Sequence, residues 1–226
     1  MDEKYKSLLI QELKQELTNA SNISTGTIAA KIEDIGFSCL MCGKCCRREF
    51  GDNRVLLIPQ EIQVISDHTI LEAHEIATPA TSDGSDSDLI DTDGKIHTFD
   101  WMLARKSNGD CNFIEDAETS NKCTIHDVRP MLCRTYPFYM QDMELHVSEC
   151  EGLGHKISPE KSQTIARDVI DRYVAEIEDT IALYQKFEGF TAGKDNLEIT
   201  SGKAAGKCHV TYVVHDSKGT HEVEKN

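Results

Sequence analysis

Cys39-Leu40-Met41-Cys42-Gly43-Lys44-Cys45-Cys46 sets four thiols within eight residues, with a glycine inside the run. Four more cysteines follow at Cys111, Cys123, Cys133 and Cys150, and a ninth at Cys208. Thiolate is a soft ligand and selects zinc, copper(I) or iron–sulfur clusters. Two intervening residues let one turn of backbone aim both sulfurs at the same ion, so C-x-x-C recurs in structural zinc sites and in cluster-binding runs. Disulfides are the competing use. The charged start Met1-Asp2-Glu3-Lys4-Tyr5-Lys6 lacks the apolar stretch and cleavage site of a signal peptide, which predicts a cytoplasmic protein. Thiols there stay reduced, and adjacent residues such as Cys45 and Cys46 rarely meet disulfide geometry with each other. The array therefore points to metal or redox chemistry.

Eight cysteines make two sets of four, enough for two tetrahedral sites or two cubane clusters. Cys39, Cys42 and Cys45 carry the regular spacing, and a fourth ligand has to come from the distal set. The side chains of Cys45 and Cys46 tend to diverge. Cys46 therefore serves a second site or fills the core. His126 stands three residues after Cys123, so both can face one site from a helical turn. It reads equally as a ligand, as a donor to a thiolate, or as a packing or capping residue. Arg129 and Arg134 flank Cys133; guanidinium groups there offset thiolate charge, or pair with carboxylates elsewhere. Pro130 and Pro137 bracket the segment, with Tyr136 and Phe138 as aromatic shields. Cys150 reads as a ligand or as a buried small apolar residue. Cys208 is placed outside the site, and His209, His215 and His221 are expected at the surface.

The second half of the array reads Cys123-Thr-Ile-His126-Asp-Val-Arg129-Pro130-Met-Leu-Cys133-Arg134-Thr-Tyr136-Pro137-Phe138. Joined to the CxxCxxCC run, it resembles the YkgJ-type cysteine-cluster family, described as zinc- or iron-chelating proteins. The resemblance spans about residues 37–150 and implies a metal ion or cluster as the partner, with Cys39, Cys42, Cys45, Cys46, Cys111, Cys123, His126, Cys133 and Cys150 as its candidate ligands. The implied cofactor is an iron–sulfur cluster or Zn2+, with a redox or metal-handling role. The pattern is also similar to the cysteine region of flagellin lysine N-methylases, which leaves a cluster-dependent enzyme as an alternative; a zinc-stapled interaction module is another. No glycine-rich nucleotide loop follows a strand, which weighs against the enzyme. A ferredoxin run would continue to a fourth cysteine followed by proline, whereas here Cys46 comes next and no proline follows.

At 226 residues with mean hydropathy −0.42, the chain suits one globular domain with extensions. No run of 18 apolar residues is present, so no membrane partner is expected. The net charge of −15, from 24 basic and 39 acidic residues, weighs against nucleic acid. A protein partner is left open.

The elements that must position the cysteines are legible in outline. Tyr5, Leu8, Leu9, Leu13 and Leu17 recur at helical spacing over residues 4–19, and Ile28, Ile32 and Ile35 mark a second, short helix ended by Gly36. Arg54 to Ile58 reads as a strand, with Pro59 opening a helix. Residues 78–95 read as an exposed loop; Asp91-Thr92-Asp93-Gly94 fails the register of a calcium loop because Leu89 stands where the first acidic ligand belongs. Lys95 to Leu103 and Glu144 to Val147 look extended. Ser158 and Pro159 signal a long helix carrying Ile165, Val169, Tyr173, Ile177, Ile181 and Tyr184. His209 to Val214, with a turn at Asp216 to Gly219, predicts a hairpin. The fold class is α+β: a small, loop-rich, metal-stapled core flanked by N-terminal and C-terminal helices. The expected organisation is an N-terminal helical extension over 1–36 and a cysteine-cluster domain over 37–155. A long amphipathic helix over 156–190 packs on that core, and a polar tail with the hairpin fills 191–226.

Overall fold

A computed structural model describes residues 2–50, 54–80, 89–116, 121–193 and 210–225. The helices form where the periodicity places them. Helix α1 runs Glu3–Ala20 and α2 Thr25–Ile35, each started by a side-chain cap: Asp2 accepts from the Lys4 amide and Ser24 from the Thr27 amide. Helix α3, Pro59–Thr69, and the short α4, Ala73–Ile76, follow strand β1, Leu56–Leu57. The long helix α6, Pro159–Lys186, has Ser158 as its cap and Pro159 at its first position.

The strands are short and fall into four groups. Strand β4, Trp101–Leu103, lies between β1 and β2, Ala77–Pro79, pairing antiparallel with both. Strands β5, Ile114–Asp116, and β6, Asn121–Cys123, form one hairpin; β7, Phe138–Gln141, and β8, Glu144–Val147, form another. Helix α5, Met131–Thr135, stands between these hairpins. At the C-terminal end β9, Val210–Asp216, pairs antiparallel with β10, Gly219–Lys225, and parallel with β3, Ile96–Thr98. Helices at both ends around a small strand-rich centre make the chain an α+β protein.

Two separate hydrophobic cores result. The first packs α1, α2 and the β7–β8 hairpin on the inward stripe of α6, through Ile28, Ile32, Phe138, Met140, Val169, Tyr173 and Ile177. The second gathers Leu57, Ile65, Ile76, Leu103, Phe113 and Ile125 from α3, α4 and the central strands. Cys111 and Cys123 pack against this second core.

Three local expectations are corrected. The strand expected over 54–58 shrinks to Leu56–Leu57, because only β4 pairs with it. The loop expected over 78–95 begins inside β2, and Ile90 at its far end is buried and bridges Ile96. The histidine expected at the surface, His215, is only 6% exposed; His209 lies outside the described residues. Strand β9 carries His215 inward beside β3, where its Nε2 meets Nδ1 of His97 at 2.8 Å. Asp91 Oδ2 lies 3.2 Å from the other His97 nitrogen, and Phe190 stacks on the His97 ring. Thr220 Oγ1 lies 3.1 Å from His215 Nδ1.

Burial, reinforced by the charge His97 can carry, pushes His215 down to about 4. An unfolded histidine binds its proton below about pH 6.5, whereas the folded His215 resists protonation until about 4. Its contribution is therefore complete above the unfolded value and is lost as pH falls through that window. Urea unfolding is expected to show a loss of about 2 kcal/mol between neutral pH and about pH 5. His215→Gln should flatten that slope; a variant with the wild-type slope would show that other groups carry it.

Candidate metal centre

The CxxCxxCC run spans from one hydrophobic core to the other. Its upstream end is moored to the helical core: Phe37 packs edge-to-face on Phe138, with ring centroids 5.5 Å apart. The same segment bridges Leu153, where Ser38 N donates to Gly152 O and Gly154 N donates to Gly36 O. Gly152 is obligatory at this crossing, because a Cβ there would stand 2.3 Å from the carbonyl oxygen of Ser38. Its downstream end is moored to the second core, where Cys111 N donates to Cys46 O at 2.8 Å. Arg47 Nη1 holds Asp110 Oδ2 at 3.1 Å beside that bond. Between the moorings Gly43 adopts a left-handed conformation, φ 74°, which opens the short 3-10 turn Lys44–Cys46. Lys44 pairs with Glu151 and ties this turn to the segment after Cys150.

The distal cysteines reach the same place from four different elements. Cys111 precedes β5, Cys123 ends β6 opposite Ile114, and Cys133 sits at the middle of α5. Cys150 lies in the turn after β8, where Gly152 N points at its sulfur at 3.4 Å. Tyr136 donates its hydroxyl to Glu149 O and Ser148 N donates to Pro137 O, fixing that turn. All eight cysteines line one cavity of about 650 Å3, together with Phe37, Phe138, Leu103 and Ile125 from the two cores. Cys208 lies outside the described residues.

The thiols are not equivalent. Cys39 and Cys45 are exposed, while the other six are partly covered. Sulfurs of Cys45 and Cys46 approach to 3.9 Å. The Cys46 thiol stabilises a Cys45 thiolate and lowers Cys45 to about 7; the same contact pushes Cys46 up. Desolvation raises Cys111, Cys123, Cys133 and Cys150. Electrostatic neighbours overlap at Cys45, which acts on Cys46, Cys123, Cys133 and Cys150. Cys150 senses Cys45, Cys42 and Cys39, whereas Cys46 senses Cys45, Cys111 and Cys133. Cys133 in turn senses Cys111, Cys45 and Cys123. Among the described residues, no three Cys, His, Asp or Glu side chains converge closely enough to hold a single ion.

The polar residues around the thiols divide as well. Arg129 lines the cavity and its charge favours thiolates at Cys45, Cys123 and Cys133. Arg134, expected to act with it, is exposed and lies off the cavity wall. His126 lines the cavity, and its Nε2 accepts from Arg129 Nη1 at 3.0 Å. Arg54 and Arg172 join the lining without having drawn notice in the sequence, because nothing in the spacing of isolated arginines ties them to distant cysteines.

A family model described as CxxCxxCC, putative zinc- or iron-chelating domain, matches residues 38–151, just over half of the chain. The chain belongs to this family. The matched span begins one residue before Cys39 and ends one residue after Cys150, so it contains every cysteine of the cavity and supports a metal ion as their partner. The long helix α6 and the β9–β10 hairpin lie outside the family's domain. No solved structure matches the chain. Among the described residues no helix is long and apolar enough to cross a membrane.

The Gly152 crossing gives a direct check on how Cys39 is held. Gly152→Ala forces Ser38 away and should cost about 1–3 kcal/mol. It should also lower the metal retained per chain. Gly26→Ala, whose Cβ meets only Ser24 Oγ at 3.8 Å, should leave both unchanged or add slight stability. Thermal unfolding and metal analysis of the two proteins make the comparison; equal behaviour would show that the crossing does not govern the loop.

Proposed function

We propose that the cavity holds iron as iron–sulfur centres, bound by the eight cysteines as two groups of four, and that the chain works in electron transfer or metal handling. The observation that carries this reading is the spread of the sulfurs. A tetrahedral zinc ion holds all four sulfurs about 2.3 Å from one point. Here eight sulfurs surround about 650 Å3, and no three metal-binding side chains among the described residues meet at one point. A polynuclear cluster suits thiolates that stand apart, because each binds a different iron.

Position in the fold suggests one partition, with Cys45, the neighbour of Cys46, Cys123, Cys133 and Cys150 alike, at the junction. Cys39, Cys42, Cys45 and Cys150 form the more exposed group. Cys46, Cys111, Cys123 and Cys133 form the group seated on the second core. This places the adjacent thiols Cys45 and Cys46 in different groups, which meet where their sulfurs approach to 3.9 Å. His126 acts through Arg129, whose charge offsets that of the thiolates and tunes the centre.

Anaerobic purification followed by a visible spectrum and by iron, sulfide and zinc analysis tests the proposal. A brown protein with matching iron and sulfide is expected. A colourless protein with stoichiometric zinc would overturn electron transfer and favour a zinc-stapled scaffold. Retention of neither metal would overturn metal binding itself. In the same assay Cys42→Ser should lose metal and destabilise the fold, whereas Cys208→Ser should retain the wild-type content; equal loss would place Cys208 among the ligands.

A further inference from the structure

Helix α5 carries Cys133 and has no cap of its own. It is five residues long, too short to persist alone in water, and the residue at its cap position is Pro130. Proline offers no side-chain acceptor, and no side-chain cap forms locally. The missing acceptor comes from 70 residues away, where Glu61 Oε1 receives the amide of Met131, the first residue of α5, at 2.6 Å. The second oxygen of the same carboxylate, Oε2, receives the amide of Ile58 at 3.0 Å and closes the start of α3. One side chain thus caps two helices at once and sets one against the other. At the far end of α5, Arg172 Nη1 approaches Thr135 Oγ1 at 3.4 Å, and its Nε holds Glu176 at 2.7 Å.

We propose that Glu61 is the positioning residue of the metal centre, fixing the orientation of Cys133 by capping α5 from α3. The charge assignment agrees. Glu61 is partly buried, and burial raises it above the ordinary carboxylate value, while the Met131 and Ile58 amides and the Arg172 guanidinium oppose that rise and favour the ionised form. The second cavity, lined by Glu61, Leu132 and Arg172 among others, lies behind α5, so packing alone does not hold the helix there. Glu75 provides a natural comparison: its Oε2 receives the Glu72 amide at 2.9 Å and caps only its own helix, α4.

The metal arm of the test rests on the thiolate-bound metal proposed above, and the thiol arm does not. In reduced, metal-free protein, alkylation of Cys133 by iodoacetamide is followed by mass spectrometry. Glu61→Ala is expected to raise the rate about fivefold, as the loss of one cap implies. Glu61→Gln keeps one acceptor oxygen and should fall between Glu61→Ala and wild type. Glu75→Ala should match wild type. Ile65→Ala, which loosens the buried core of the same α3 helix, controls for general destabilisation. If Ile65→Ala raises the Cys133 rate as much as Glu61→Ala, or Glu61→Ala leaves it unchanged, the positioning role is overturned. With ferrous iron and sulfide as the probe under anaerobic conditions, Glu61→Ala should lose the same share of cluster absorption as Cys133→Ser, and the double variant should lose no more. Additive losses would overturn the link between the two residues. A wild-type chain that assembles no cluster would count against the metal reading, while the alkylation rates still decide the role of Glu61.

Discussion

Eight thiols drawn to one cavity are the constraint around which this chain is organised. Sulfur atoms in that number gain little from one another: burial resists their ionisation, and once ionised they repel. The fold brings them together nonetheless, using five separate stretches of backbone. The cysteine run is moored at Phe37 to the helical core and at Cys46 to the second core. The cavity therefore lies between two hydrophobic bodies and is walled by both. In such an arrangement the free energy of binding a cation becomes free energy of folding, because no comparable site exists in the unfolded chain.

Local charge follows the same logic against the trend of the whole molecule. The chain carries a net charge of −15, yet the cavity wall includes Arg54, Arg129 and Arg172. Cations have been kept where thiolates gather, and carboxylates dominate elsewhere. Arg129 is the most informative of them. Its Nη1 lies 3.0 Å from His126 Nε2, so the guanidinium and the imidazole on the cavity wall hold one another. A guanidinium held this way stabilises thiolates without competing for the metal.

Much of this was legible in the chain. The caps and apolar stripes of α1, α2 and α6 are local signals, and the helices form where those signals place them. The convergence of Cys39 to Cys46 with Cys111, Cys123, Cys133 and Cys150 was legible because thiol spacing is chemically specific. Other features depended on pairings that no local signal encodes. The parallel docking of β9 beside β3 turned an expected surface histidine, His215, into a buried one. Arg129 and Arg134, five residues apart, differ because Arg129 ends the turn before α5 and lines the cavity, whereas Arg134 lies within α5 and is exposed. Glu61 carries an ordinary helix-start signature toward Ile58, and its second bond, to Met131, reaches across 70 residues.

That last contact says something general about how a ligand on a short helix is held. A five-residue helix has more unsatisfied ends than internal bonds, so its orientation is set by whatever satisfies those ends. Pro130 makes the N-terminal end dependent on an outside acceptor, and Thr135 offers its hydroxyl to the long helix at the other. The cysteine between them inherits the combined geometry of α3 and α6. Cys133 is therefore placed less by its own segment than by two helices whose other faces belong to different cores. A shift of α3 or α6 acts on the ends of α5, and through them on the Cys133 thiol.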